Sequence, residues 1–311
     1  MSTPGKTPVS DAAPRPNSER PSEFSTLEAL PVTVPKSDVS EAASFVVRLL
    51  PATDPTAPVM LVLPAIALKA KFYLPLAKSL HEAGFSSATV DLRAQGESTP
   101  PLGEARNYGY RQMLEADLPA ILDALHDRFP EAPIFLVGHS LGGQLSLLYG
   151  AAHPDQLAGV ITIATGVVYW RAFDPKRWAS VLYGSQYVGV VSRLRGIWPG
   201  GKVMGGPMAG GVMVDWSWHA LTGRYRPAGT KLNYDRLLGD SPLRTLMVSF
   251  ESDPLGPKST VDHLAGRLKA AQLTRWHLGP DSGLENLDHF AWIKDSPSLG
   301  ARFAEWVREG R

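Results

Sequence analysis

Ten residues, Ile134 to Gly143 (IFLVGHSLGG), constrain this chain more than any other stretch. Ile134–Val137 is a short apolar run and reads as a buried strand. Leu141–Ala152 reads as a helix. Between them stands Gly138-His139-Ser140-Leu141-Gly142, a G-x-S-x-G pentapeptide. A serine in a tight strand-to-helix turn projects its hydroxyl beyond the end of the sheet. Such a turn is strained and crowded, so Gly138 and Gly142 stand where a side chain would clash. The helix N-terminus brings the Leu141 N–H beside the hydroxyl, ready to donate to an oxyanion. The plain alternative is a glycine-rich turn with an incidental serine; the strand before it and the helix after it favour a nucleophile.

The pattern around this turn repeats. Val59–Leu63, Ser87–Asp91, Val160–Ala164, Thr245–Phe250 and Thr274–His277 read as strands, and Leu30–Pro35 with Ser44–Leu50 as a strand pair. Helical periodicity marks Phe72–Ala83, closed by Gly84, then Tyr110–Phe129 with a kink at Pro119, Ser259–Ala271 and Pro297–Val307. Strands alternating with helices predict an α/β fold with a mostly parallel central sheet and helices on both faces. The rhythm breaks over residues 166–235, which hold 12 of the 29 glycines and 5 of the 8 tryptophans. That segment reads as an inserted cap or lid. The core then comprises 26–165 and 236–311. Residues 1–25, rich in Pro and Ser, read as a disordered tail.

Composition excludes several classes of function. There is no cysteine, so thiol nucleophiles and cysteine-ligated metals are ruled out. The net charge of +1 argues against a nucleic-acid partner. The longest apolar run, residues 58–68, is too short for a membrane-spanning helix, which needs about twenty residues. The N-terminal residues lack the apolar segment of a secretory signal, so a cytoplasmic location is the expectation. No metal-ligand spacing occurs among the acids and histidines. Gly196-x-x-x-x-Gly201-Lys202 nearly spells a phosphate loop, but Val203 stands where Ser or Thr is needed. No cofactor and no metal are therefore expected. The sequence carries no signal of oligomeric state.

A nucleophilic serine needs a base and an acid that orients the base. On a sheet of this kind the chain order is Ser, then Asp or Glu, then His. His289 lies between the last strand and the last helix, after every acid candidate. The acid belongs after the strand Thr245–Phe250, where Asp253 leads and Glu251 is the rival. The side chain of His139 should point away from that of Ser140. A second oxyanion donor belongs in the loop Leu63–Ala67, at the Ile66 N–H.

At this point a family is visible. The core resembles the α/β-hydrolase superfamily, on its serine aminopeptidase and monoacylglycerol-lipase-like branch, over about residues 45–310. Besides the serine turn, Asp91-Leu-Arg93-Ala-Gln-Gly96-Glu-Ser98 resembles the family's D-x-R-G-x-G-x-S stretch. Pro64-Ala65, Phe72-Tyr73, Trp198-Pro199-Gly200, Asp215-Trp216, Thr222–Tyr225 and Asp288-His289-Phe290 resemble a bacterial group of predicted α/β hydrolases. The resemblance implies a Ser140–His289–Asp253 triad with an oxyanion hole at Ile66 and Leu141. Two departures stand out: Pro64-Ala65 replaces a common His-Gly, and Ala94 replaces a usual Gly.

The implied function is hydrolysis of a carboxylic ester or related small-molecule acyl substrate, through an acyl-enzyme. An acyltransferase would use the same residues, and a non-catalytic binding protein on this scaffold is a further alternative. The 166–235 segment carries nine cations against three carboxylates, a net +6. Such a lid suits an apolar acyl chain with an anionic head; equally, the cations solvate an outer face. Its glycine pairs at 200–201, 205–206 and 210–211 read as a mobile lid loop.

Overall fold

The computed structural model describes residues 22–104 and 108–310. Residues 1–21 of the expected tail lie outside the described residues. Its last residues depart from that reading, because Glu23–Thr26 form a 3-10 turn. The turn buries Phe24, the one large aromatic that this stretch offers to the core.

In chain order, β1 (Glu28–Val34) pairs antiparallel with β2 (Ala43–Leu50). β3 (Val59–Leu63), α1 (Leu74–Glu82), β4 (Ser86–Val90), α2 (Tyr110–Gln112), α3 (Leu118–Arg128), β5 (Ile134–His139), α4 (Leu141–Ala152) and β6 (Gly159–Ile163) follow. Residues 166–235 contain α5 (Trp178–Arg195), α6 (Gly210–Thr222) and two short strands, β7 (Ile197–Trp198) and β8 (Met208–Ala209). α7 (Tyr234–Asp240), β9 (Thr245–Phe250), α8 (Lys258–Ala265), β10 (Leu273–Leu278) and α9 (Ser296–Glu309) complete the chain.

The main sheet has eight strands in the order β1-β2-β4-β3-β5-β6-β9-β10. Pairing is parallel from β4 to β10 and antiparallel where β2 meets β1 and β4. The apolar run of β3 shows why its sequence does not alternate. Val59, Leu61 and Leu63 enter one core, while Met60 and Val62 enter the core on the opposite face. α1 and α9 cover the second face; α3, α4, α7 and α8 cover the first. α4 is buried almost throughout, which matches its all-round apolar sequence.

Three sequence expectations are corrected. The helix expected at 259–271 ends at Ala265, where Gly266 follows and a tight turn joins Arg267 N–H to Leu264 O. The helix expected over 110–129 is interrupted by a π-helical turn at Met113–Asp117, just before Pro119 at the start of α3. Proline has no N–H to continue the regular ladder, so the extra residue is absorbed there. Gly210 and Gly211 are the first turn of α6, not loop residues. They sit where side chains would strike backbone: at Gly210 that of Gly196, at Gly211 that of Tyr108. Among the described residues no helix is long and apolar enough to cross a membrane.

Candidate active site

The sharp turn between β5 and α4 sets Ser140 at φ +51°, ψ −112°. This is a left-handed value that an L-residue adopts only under constraint. Two neighbours supply that constraint. A Cβ at Gly142 would collide with the Leu63 carbonyl, and would lie 2.8 Å from that of Pro64. A Cβ at Gly138 would strike the backbone of Gly142 and Gly143. The serine turn therefore nests against the Leu63–Ala67 loop, and no side chain fits between them. Ser140 N–H also donates to Ile163 O at 3.0 Å, which ties the turn to β6.

His289 and Asp253 meet behind this turn. His289 Nδ1 lies 2.8 Å from Asp253 Oδ2, with both side chains buried. The other Asp253 oxygen, Oδ1, accepts the N–H groups of Leu255 and Gly256, each at 2.8 Å. The carboxylate is thus fixed by its own loop and aimed at the imidazole. Glu251 does not reach His289. Its Oε2 lies 2.7 Å from Nε2 of His277, whose Nδ1 pairs with Ser249 Oγ at 2.8 Å.

Ser140, Leu141, Ile66 and His289 line one cavity of about 510 Å³. Its walls include Val167, Val181, Met204 and Trp216. Among the described residues neither the Ile66 nor the Leu141 backbone N–H has an acceptor. Ile66 sits in a loop bent by Ala67 at φ +57°, and a third wall residue, Ala164, has φ +49°. The Pro64-Ala65 departure is accommodated without disorder in the loop: Ala65 N–H donates to the Tyr73 hydroxyl at 2.9 Å.

That hydroxyl leads to residues the sequence reading did not assign. Tyr73 is fully buried, and its oxygen lies 2.8 Å from Nδ1 of His139. The one hydroxyl therefore joins the Ala65 N–H to the His139 ring, since a phenol oxygen that accepts from one group still has a proton and a second lone pair. His139 points away from the serine, as expected, and its ring lies 4.9 Å from that of His289 and 5.3 Å from Trp292. Burial holds the His139 pKa well below the ordinary histidine value, and the nearby His289 imidazole adds to this. His139 is therefore a neutral ring beside the candidate base. The signal in sequence was only a Tyr ten residues past a buried strand and a His before the serine; their meeting is a tertiary fact.

Asp215 of α6 anchors the 166–235 segment to the core. Its carboxylate accepts Tyr110 N–H and Ala228 N–H, both at 2.9 Å. Burial raises its pKa, and the two backbone donors oppose that rise.

A family model described as serine aminopeptidase, S33, matches residues 54–199, which include the Leu63–Ala67 loop and the serine turn. Mouse monoglyceride lipase is 36% identical over 53 residues, a stretch that covers 17% of this chain and 18% of the mouse protein. The matched stretch therefore spans less than a fifth of that relative's length. A thermophilic esterase from Thermogutta terrifontis superposes with a TM-score of 0.59 at 16% identity, over 91% of this chain and 98% of its own. The monoacylglycerol lipase of Paleococcus ferrophilus gives 0.58 at 14% identity, over 85% and 98%. At such identities these likenesses speak to fold.

Proposed function

We propose that this chain is an α/β hydrolase of the serine aminopeptidase and monoacylglycerol-lipase-like branch, and a serine esterase working through Ser140, His289 and Asp253. The observation that carries the reading is the buried 2.8 Å contact of His289 with Asp253 at the edge of a cavity that also exposes Ser140.

Asp253 accepts from Nδ1–H and so leaves Nε2 of His289 as the basic nitrogen. His289 removes the proton of Ser140 as its oxygen attacks the substrate carbonyl. The developing oxyanion is held between the N–H groups of Ile66 and Leu141; one such donor is worth roughly 3–4 kcal/mol. Collapse expels the alcohol, which takes its proton from His289. Water, activated by the same imidazole, then releases the acid from the serine. Tyr73 and His139 act as positioning residues, since one hydroxyl holds both the Ala65 end of the oxyanion loop and the ring packed on His289. Residues 166–235 serve as the cap that shapes the acyl-binding cavity.

The test is covalent labelling with a fluorophosphonate probe, joined to turnover of short p-nitrophenyl esters. Wild type should label at Ser140 and hydrolyse them, while Ser140→Ala should do neither. An unlabelled wild type, or equal labelling of the variant, overturns the proposal.

A further inference from the structure

Nine cations of the 166–235 segment admitted two roles, solvation of an outer face or recognition of an anion. Their positions divide them. Only Arg177 and Lys202 of the nine line the cavity above Ser140, and among the described residues no Asp or Glu lines it. Among the described residues neither forms an ion pair with a carboxylate. The remaining lining is apolar or small, apart from Gln144, two serines and the candidate catalytic groups.

Arg177 is held in place rather than free. Its Nη1 donates to Pro254 O at 2.6 Å, and its guanidinium lies 5.1 Å from the centre of the Phe173 ring. These contacts leave its other N–H groups free to meet an anion as a fork. Lys202 stands on the glycine-rich segment 200–206, which folds over the oxyanion loop. Gly206 is packed so close to Ala67 that any side chain there would collide. The two cations thus reach the cavity from different walls, one beside the Asp253 loop and one beside the oxyanion loop.

An apolar cavity with two cations and no counter-charge discriminates by charge. Filling it with a neutral ester takes water from the half-buried Arg177 and gives nothing back. A cationic ester is repelled. An anion instead makes charge-assisted hydrogen bonds that strengthen as water leaves. We propose that the substrate is an acyl ester bearing a second, anionic group, a carboxylate or a phosphate, which Arg177 and Lys202 bind while the hydrocarbon part fills the cavity. This rests on the esterase reading and names the substrate class within it.

Three esters of matched chain length separate the outcomes: mono-p-nitrophenyl adipate, its neutral methyl diester, and p-nitrophenyl 6-phosphonooxyhexanoate. The full chain should favour at least one anionic ester over the neutral one by about tenfold or more in kcat/KM. The gap should lie in KM and shrink with added salt. The better of the two anionic arms identifies the anion. Lys202→Glu should collapse the ratio, and Arg177→Gln should lower it several-fold. A wild-type ratio at or below one, or a ratio unmoved by Lys202→Glu, overturns the proposal. If Ser140 labels with fluorophosphonate and neither anionic ester turns over, the substrate class falls and the esterase reading stands. If Ser140 does not label and no ester turns over, the esterase reading fails first and the substrate class falls with it.

Discussion

The sheet core and the 166–235 segment handle charge in opposite ways. In the core, Arg93 is buried against Asp117, with Nε 3.0 Å from Oδ2, a second contact from Nη2 to Oδ1, and a further bond to Ser40. Asp91 is shared between Ala70 N–H and Glu97 N–H. Each of these groups has one arrangement. Cations of the segment, including Arg171, Arg193, Arg195 and Lys202, have no carboxylate partner among the described residues. α5 also leaves Tyr183, Tyr187, Val190 and Leu194 exposed in one helical row. The core is overdetermined, so it fixes where the candidate reacting atoms stand. Most cations of the segment are less constrained, and on the proposed reading they are available to choose what enters.

The comparison breaks most visibly if the candidate catalytic groups of the core prove replaceable. Asp253→Asn keeps the shape of the side chain but cannot hold the same tautomer of His289. It should lower kcat/KM for a p-nitrophenyl ester by roughly 10⁴-fold, the scale seen when this acid becomes an amide in serine enzymes. Glu251→Gln should stay within about threefold, and a reversed order would move the acid to Glu251.

Next in size is the contrast between two glycines. Gly142→Ala forces a methyl against the Leu63 and Pro64 carbonyls, and overpacking of this kind costs about 1–3 kcal/mol or more. The melting temperature should fall by several degrees and esterase activity should vanish with the turn. Gly205→Ala meets nothing within 4 Å and should leave melting unchanged. Equal sensitivity at the two sites would remove the distinction between core and segment.

A smaller effect is expected at Tyr73→Phe. The variant deprives Ala65 N–H of its acceptor and His139 Nδ1 of its partner while keeping the ring. We expect kcat to fall by roughly tenfold with KM nearly unchanged, because the loss is one of alignment. Stopped-flow labelling by fluorophosphonate should slow in step. A stability loss with normal kcat would make Tyr73 merely a packing residue.

The smallest prediction concerns a buried group inside the segment. His219 of α6 stacks on Tyr225 with ring centres 3.9 Å apart. Burial, with help from the positive charges of Arg267 and His263, pushes its pKa down to about 3. The unfolded chain binds a proton near pH 6.5 that the folded chain refuses. Stability is therefore intact above that pH and is lost as pH falls toward 3, at about 1.4 kcal/mol per unit. His219→Phe should remove one proton's worth of this slope between pH 6 and 4, read from denaturant unfolding at each pH. An unchanged slope would show that His219 charges without penalty.

Much of the core was legible because its signals are local. The run in β3, the strand at 134–139 and the helix at 141–152 each carry their pattern within a dozen residues. The serine and its two glycines declare a turn whose sterics follow from geometry alone. His289 and Asp253 came from chain order, a property of the fold rather than of their neighbourhoods. The Tyr73–His139 link was not legible, since it joins residues 66 apart through one hydroxyl. Nor was the division of the segment's cations, because helical phase and the path of a glycine-rich loop decide which of the nine face the cavity. The π-helical turn before Pro119 was visible only as a kink, since the sequence marks the missing donor but not how the chain absorbs it.

Three residues with left-handed backbones, Ala67, Ser140 and Ala164, border the same cavity. Each departs from the conformation its residue type prefers, at a cost on the order of 1–3 kcal/mol. Glycine would suit all three backbones better. Heat resistance and chemistry therefore pull against one another at this wall. The substitutions that a search for a tougher protein would find first lie where the candidate reacting atoms are held, and Ser140→Gly, the most relaxed of them, would on the proposed reading yield a sturdier chain with nothing left to attack an ester.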